Sequence, residues 1–141
     1  MLYLASDHAG FTLKTAIIAA LKKNDVPHDD LGCYSEISCD YSDFAHKLAD
    51  QVQKSGAMGI AICGSGIGMS MALNRHAEIR AALCHEENSV ELSRKHNDAN
   101  VLVLAGRKTT LEQALSFLKI FSETQFEGGR HLARVKKIKI T

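Results

Sequence analysis

The sequence has no tryptophan, a single proline and no surplus of either charge: 17 lysines and arginines stand against 16 aspartates and glutamates, a formal net charge of +1. That balance names no partner and weighs against nucleic-acid binding. The basic tail RVKKIKI carries no interleaved aromatics, so no nucleic-acid partner is expected. No apolar run is long enough to span a bilayer, and the N-terminus MLYLASDHAG meets Asp7 and His8 too early for a signal-peptide core. The expectation is a cytoplasmic protein with no membrane partner. Internal repeats, low-complexity segments and linkers are absent too, and 141 residues are enough for one domain with its own core, spanning 1–141.

The four cysteines, Cys33, Cys39, Cys63 and Cys84, form no CxxC pair and no zinc-ligand spacing. A reducing compartment disfavours a disulfide frame. Cys33, Cys39 and Cys84 read as small buried hydrophobes. Cys63 stands apart, because it ends an apolar run and is followed by three glycines within five positions, in AICGSGIGMS.

What the chain does have is alternation. LYLA at 2–5 reads as a buried strand, and FTLKTAIIAALKKN from Phe11 repeats its apolar residues at helical spacing until Pro27 forbids continuation. A weak strand is expected near HDDLG. A helix follows from about Tyr41 to Lys54, stopped by Gly56. Then MGIAIC is a strand, IGMSMALNRH a helix, IRAALC a strand, EENSVELSRKH a helix, NVLVLAG a strand and TLEQALSFLKIFSE a final helix. Strands that are apolar throughout predict a parallel sheet covered on both faces, an α/β three-layer sandwich with a five-stranded parallel sheet. A basic tail from about residue 127 lies outside this pattern.

In such a sheet ligands bind beyond the carboxyl ends of the strands. The residues there are Ser6, Asp7, His8 and Gly10 after the first strand, Cys63 and its glycine turn after the third, His85 and Glu86 after the fourth, and Gly106 and Arg107 after the fifth. The turn Gly64–Gly68 is neither a GxGxxG nor a Walker loop. It suits an anion, either a phosphate or the charge that develops on a reacting oxygen. Cys63, at the entrance to the next helix, is placed to act as a thiolate base or nucleophile. In GGRHLAR, Arg130 and Arg134 are four apart and share a helix face, a pairing suited to a phosphate.

Taken together, Asp7-His8, CGSGIG, SRKHNDAN and EGGRHLAR resemble the ribose-, galactose- and allose-phosphate isomerase family, in particular its ribose-5-phosphate isomerase B members, over Leu2 to about Val135. The resemblance implies a Rossmann-like fold and a cofactor-free, metal-free, reversible isomerisation of ribose 5-phosphate and ribulose 5-phosphate through an enediol in the pentose phosphate pathway. It implies Cys63 as the base, Ser65 as an assisting hydroxyl, and the loop Gly64, Gly66, Ile67 and Gly68 as the anion hole. It also implies His96 as the ring-opening histidine and Asn97 as a group holding the intermediate. Asp7 and Tyr41 then lie near the sugar, and His8, Arg107, Arg130 and Arg134 clamp the phosphate. Asp40-Tyr41-Ser42 departs from the family's usual Asp-Tyr-Pro.

His96 and Asn97 end a helix and precede a strand, which puts them on the amino edge of the sheet, opposite Cys63. The expectation is therefore a homodimer with shared sites, a tetramer remaining open. Two other readings of the same residues are an isomerase of a six-carbon sugar phosphate and a non-catalytic sugar-phosphate-binding protein. A thiol redox protein is disfavoured because Cys63 has no resolving cysteine close in sequence.

Overall fold

The computed structural model describes residues 1–140. Its elements run β1 (Leu2–Ser6), α1 (Phe11–Lys23), β2 (His28–Asp30), α2 (Tyr41–Ser55), β3 (Met58–Cys63), α3 (Ile67–Leu73), β4 (Ala81–Leu83), α4 (Glu87–Lys95), β5 (Val101–Ala105), α5 (Leu111–Glu123) and α6 (Arg130–Lys136). All strand pairs are parallel, in the order β2-β1-β3-β5-β4. The five-stranded parallel α/β sheet expected from the apolar strands is present.

Alternation along the central strands sorts side chains into two cores. Leu2, Leu4, Ile60, Ile62, Leu102 and Leu104 pack under α1, α4 and α5, where Ile17, Val90 and Phe121 are buried. Ala5, Ala61, Cys63, Val101 and Val103 face the other way, against Leu48 and Val52 of α2 and Met69 and Leu73 of α3. Because β1 leads outward to β2 while β3 lies on its other side, the order in which strands are added reverses between β1 and β3. That reversal opens a crevice at their carboxyl ends.

α3 and β4 fall furthest short of their patterns. α3 stops at Leu73 rather than His76, because the Asn74 amide turns to the edge strand: Nδ2 donates to the Ala81 carbonyl at 3.0 Å and Oδ1 accepts from the Ala81 N–H at 2.8 Å. β4 begins at Ala81 rather than Ile79, since the Ile79 N–H closes a turn onto the His76 carbonyl and the Arg80 N–H is taken by Asn100 Oδ1. The tail forms α6 and is tied back through the Glu127 N–H, which donates to the Lys95 carbonyl at 3.1 Å.

Among the described residues, one charged side chain is wholly buried. Lys14 of α1 is fully buried, with its ammonium donating to Asp30 Oδ1 and, at 2.6 Å, to the Cys33 carbonyl. It thereby ties α1 to the segment that follows β2, with the Tyr34 ring 5.4 Å from Nζ.

Candidate active site

Three loops meet at the carboxyl edge, and close backbone approach makes this possible. A Cβ at Gly10 would lie 2.5 Å from the Ile62 carbonyl oxygen, so only glycine lets the loop after β1 lie against the end of β3. The loop after β5 is fastened to the same place: the Gly106 N–H donates to the Cys63 carbonyl at 2.7 Å and the Arg107 N–H to the Gly64 carbonyl at 3.1 Å. The Arg107 guanidinium lies over Gly64, within 3.4 Å of where a Cβ there would be.

Cys63 ends β3 and is almost wholly buried, and its Sγ accepts the Gly66 N–H at 3.2 Å. Gly66 has φ +79°, a left-handed conformation that turns its N–H back onto the sulfur. Such a contact stabilises negative charge on the sulfur. The Ile67 N–H is likewise taken, by Ser65 Oγ at 3.2 Å. Two N–H groups of the expected anion hole are therefore used inside the turn, because the loop curls on itself before entering α3. Ser65 is exposed and retains its hydroxyl hydrogen for donation. Tyr41, at the first turn of α2, lays its ring against Gly68 of α3, where a Cβ would come within 2.5 Å of Cζ.

Asp7 is buried, and its Oδ1 accepts from the Ala9 and Gly10 N–H groups at 3.0 and 3.1 Å, an Asx turn that fixes the loop. His8 Nδ1 accepts the Cys39 N–H at 3.2 Å, so the neutral ring carries its hydrogen on Nε2. This makes Cys39 a half-buried positioning residue rather than a core hydrophobe. Nothing local could reveal it, because the partners are 31 residues apart. Burial, with the neighbouring Cys33 thiol adding to it, holds the Cys39 thiol above its ordinary range despite the His8 contact. Cys84, buried beyond β4, is pushed up to about 11 and stays a thiol at neutral pH, in keeping with a packing role.

Asp7, His8, Tyr41, Cys63, Ser65, the Gly64–Gly68 loop and Arg107 thus share one rim. His85 and Glu86 follow the edge strand β4, with β5 between them and the strand of Cys63. The other expected residues lie at the opposite end of the sheet. His96 caps the C-terminus of α4 and Asn97 follows, before β5 begins at Val101. The five residues of β5, about 15 Å of extended chain, then run to the rim. Arg130 and Arg134 belong to this amino-edge group as well, because α6 docks there: the His131 ring stacks on His96 with centroids 4.3 Å apart and planes 13° from parallel. Within one chain the expected phosphate clamp is therefore split, His8 and Arg107 at one edge and Arg130 and Arg134 at the other.

A doubly wound sheet that gathers a buried thiol, an acid, an imidazole and a guanidinium at its carboxyl edge defines an α/β enzyme. More particularly, the chain belongs to the ribose/galactose isomerase family, whose model matches residues 2–138, and it is an isomerase. The ribose-5-phosphate isomerase B of Escherichia coli K12 is 43% identical over 133 residues, covering 94% of this chain and 89% of that one. A crystal structure of a ribose 5-phosphate isomerase from Thermotoga maritima superposes with a TM-score of 0.96 at 44% identity, covering 98% of this chain and 96% of its own. The Mycoplasma genitalium ribose-5-phosphate isomerase B, solved with bound ribulose-5-phosphate, superposes with a TM-score of 0.91 at 41% identity, covering 97% and 92%. Among the described residues no helix is long and apolar enough to cross a membrane.

Proposed function

We propose that this chain interconverts ribose 5-phosphate and ribulose 5-phosphate, with Cys63 as the proton-transferring base. The observation that carries the reading is the Cys63 sulfur at the end of β3, held by the Gly66 N–H between the Asp7–His8 loop and Arg107. The relative solved with ribulose-5-phosphate supports the choice of sugar.

On the open-chain sugar, the thiolate removes the proton on C2 while the C1 carbonyl oxygen gains charge, leaving a cis-enediolate. Proton movement between the two oxygens, assisted by the Ser65 hydroxyl, and return of the proton from Cys63 to C1 complete the ketose. No atom or electron is gained from outside. The remaining N–H groups of the Gly64–Gly68 turn would stabilise the enediolate. Asp7, with Oδ1 engaged by backbone, offers Oδ2 to a sugar hydroxyl. His8 donates from Nε2 to the phosphate alongside Arg107.

The split clamp supports a homodimer in which His96, Asn97, Arg130 and Arg134 of one chain complete the rim of the other. His96 would open the furanose ring before Cys63 acts. Four free cysteines suit a reducing compartment, the cytoplasm.

The reading is tested by incubating the protein with ribose 5-phosphate in deuterated water without added metal or nucleotide. Ribulose 5-phosphate should form, with deuterium entering at C2 of recovered ribose 5-phosphate. Well-folded protein giving neither product nor exchange overturns the reading. Allose 6-phosphate and galactose 6-phosphate run in parallel, and faster turnover of either would move the assignment to a six-carbon sugar.

The shared site makes its own prediction. Cys63→Ala and His96→Ala proteins are each inactive, but after subunit exchange a mixed dimer has one intact site of its two. Equal mixing should restore about a quarter of wild-type activity, since about half the dimers are mixed. Absence of recovery, with exchange verified by mass spectrometry of mixed dimers, would refute the sharing.

A further inference from the structure

Asp98, directly after His96 and Asn97, has φ +47°, a left-handed conformation that glycine adopts freely and aspartate only at a cost. Both its side chain and its backbone are engaged there. Oδ1 accepts from Arg94 Nη1 at 3.0 Å, Oδ2 from Arg80 Nη2 at 3.4 Å, and the Asp98 carbonyl from Arg80 Nε at 2.8 Å. The Asp98 N–H donates to the Arg94 carbonyl at 3.3 Å, which closes the turn. We propose that Asp98 is a positioning residue for the ring-opening step, holding the turn that presents His96 to the neighbouring subunit's rim.

The two arginines are themselves fixed. Arg94 is buried, and it also donates from Nη1 to the Ala99 carbonyl at 2.6 Å and from Nε to the Thr124 carbonyl at 3.2 Å, just past α5. Arg80 precedes β4, and its N–H is taken by Asn100 Oδ1 at 2.8 Å. Asp98 therefore joins the end of α4 to the end of α5 on one side and to the edge strand on the other. Helix ends fray unless something ties them down, and His96 is the C-cap of α4. Stacking on His131 fixes the plane of the His96 ring, while the turn fixes where the backbone carries it. A side chain that acts on a neighbouring chain has to be held from its own, because a displacement near 1 Å is enough to spoil proton transfer. A glycine would end the helix without backbone cost, but it could not bridge Arg94 to Arg80. No sequence motif announces the clamp, since Arg80 lies 18 residues from Asp98.

The proposal rests on the isomerase reading with His96 as the ring-opening group, and it has a readout that a merely structural role would not move. Ribose 5-phosphate enters as a closed furanose, whereas ribulose 5-phosphate is open-chain, because the phosphate on its C5 oxygen blocks closure onto C2. Exchange of the C1 proton of ribulose 5-phosphate in deuterated water therefore reports proton abstraction without ring opening.

Asp98→Gly removes both ion pairs and keeps a residue suited to φ +47°, so the fold should persist by circular dichroism. Its turnover of ribose 5-phosphate should fall by about ten- to a hundredfold, the cost of misplacing one group, while C1 exchange stays within about threefold of wild type. Asp98→Asn keeps the left-handed turn and one acceptor for Arg94, and its loss of turnover should lie between those of wild type and Asp98→Gly. Ribose 5-phosphate turnover in Asp98→Gly close to wild type, or equal losses in turnover and exchange, overturns the proposal while leaving the isomerase reading intact. Wild-type protein with neither turnover nor exchange overturns both together.

Discussion

Replacing Cys63 by alanine is expected to lower isomerase turnover by about a thousandfold or more, the contribution of a positioned general base, while leaving the protein folded. The asymmetry follows from what the side chain touches. Its sulfur makes one polar contact, with the Gly66 N–H, and otherwise fills a small space beside α2 and α3. Losing that contact costs about 1 kcal/mol, which is small beside the stability of a domain this size. Cys63→Ser keeps an acceptor for the Gly66 N–H and should restore that stability. It should not restore turnover, because a serine hydroxyl is a far weaker base than a thiolate at neutral pH. Steady-state rates and urea midpoints on the same preparations check both halves. Turnover retained above a tenth of wild type in Cys63→Ala would remove the thiol from the mechanism.

Lys14→Ala is expected to do the opposite, lowering stability by roughly 3–5 kcal/mol, the range for breaking a buried ion pair by removing one partner. Lys14 is fully buried, while the Asp30 carboxylate is about one-third exposed. Alanine removes the ammonium from both Asp30 and the Cys33 carbonyl and leaves a cavity in α1. At about 2–4 °C per kcal/mol the thermal midpoint should fall by roughly 10 °C. Lys14→Met fills the cavity without replacing the charge, and water can reach Asp30, so its loss should be intermediate. Urea unfolding with an unchanged slope would establish the ordering. A loss below about 1 kcal/mol for alanine would mean that the buried pair contributes little over water. The same anchor holds the start of the segment that carries Cys39, whose N–H sets the His8 ring, so loosened binding of the sugar phosphate should accompany the lost stability.

These two residues differ in how legible they were. Cys63 was visible because strand, thiol and glycine turn are consecutive, and a βα junction is a local structure. Lys14 fell within an amphipathic helix and carried no sign that its ammonium would be buried, since Asp30 lies 16 residues on. His96 and Asn97 could be assigned to the amino edge, because a residue between a helix and a parallel strand has no other place. Arg130 and Arg134 were recognised as a pair, but their edge depends on how α6 packs against α4, which no spacing encodes.

The sequence by itself determined the layers, the elements to within a few residues and the rim where the thiol emerges, because hydrophobic period and βα junctions are properties of neighbouring residues. The tertiary structure alone decided the strand order β2-β1-β3-β5-β4, the retreat of α3 and β4 around Asn74, the capture of His8 by Cys39 and the meeting of His96, Glu127 and His131. Each of these rests on contacts between residues far apart along the chain. Such contacts exist only once the sheet has selected which strands are neighbours and left the tail one edge on which to dock.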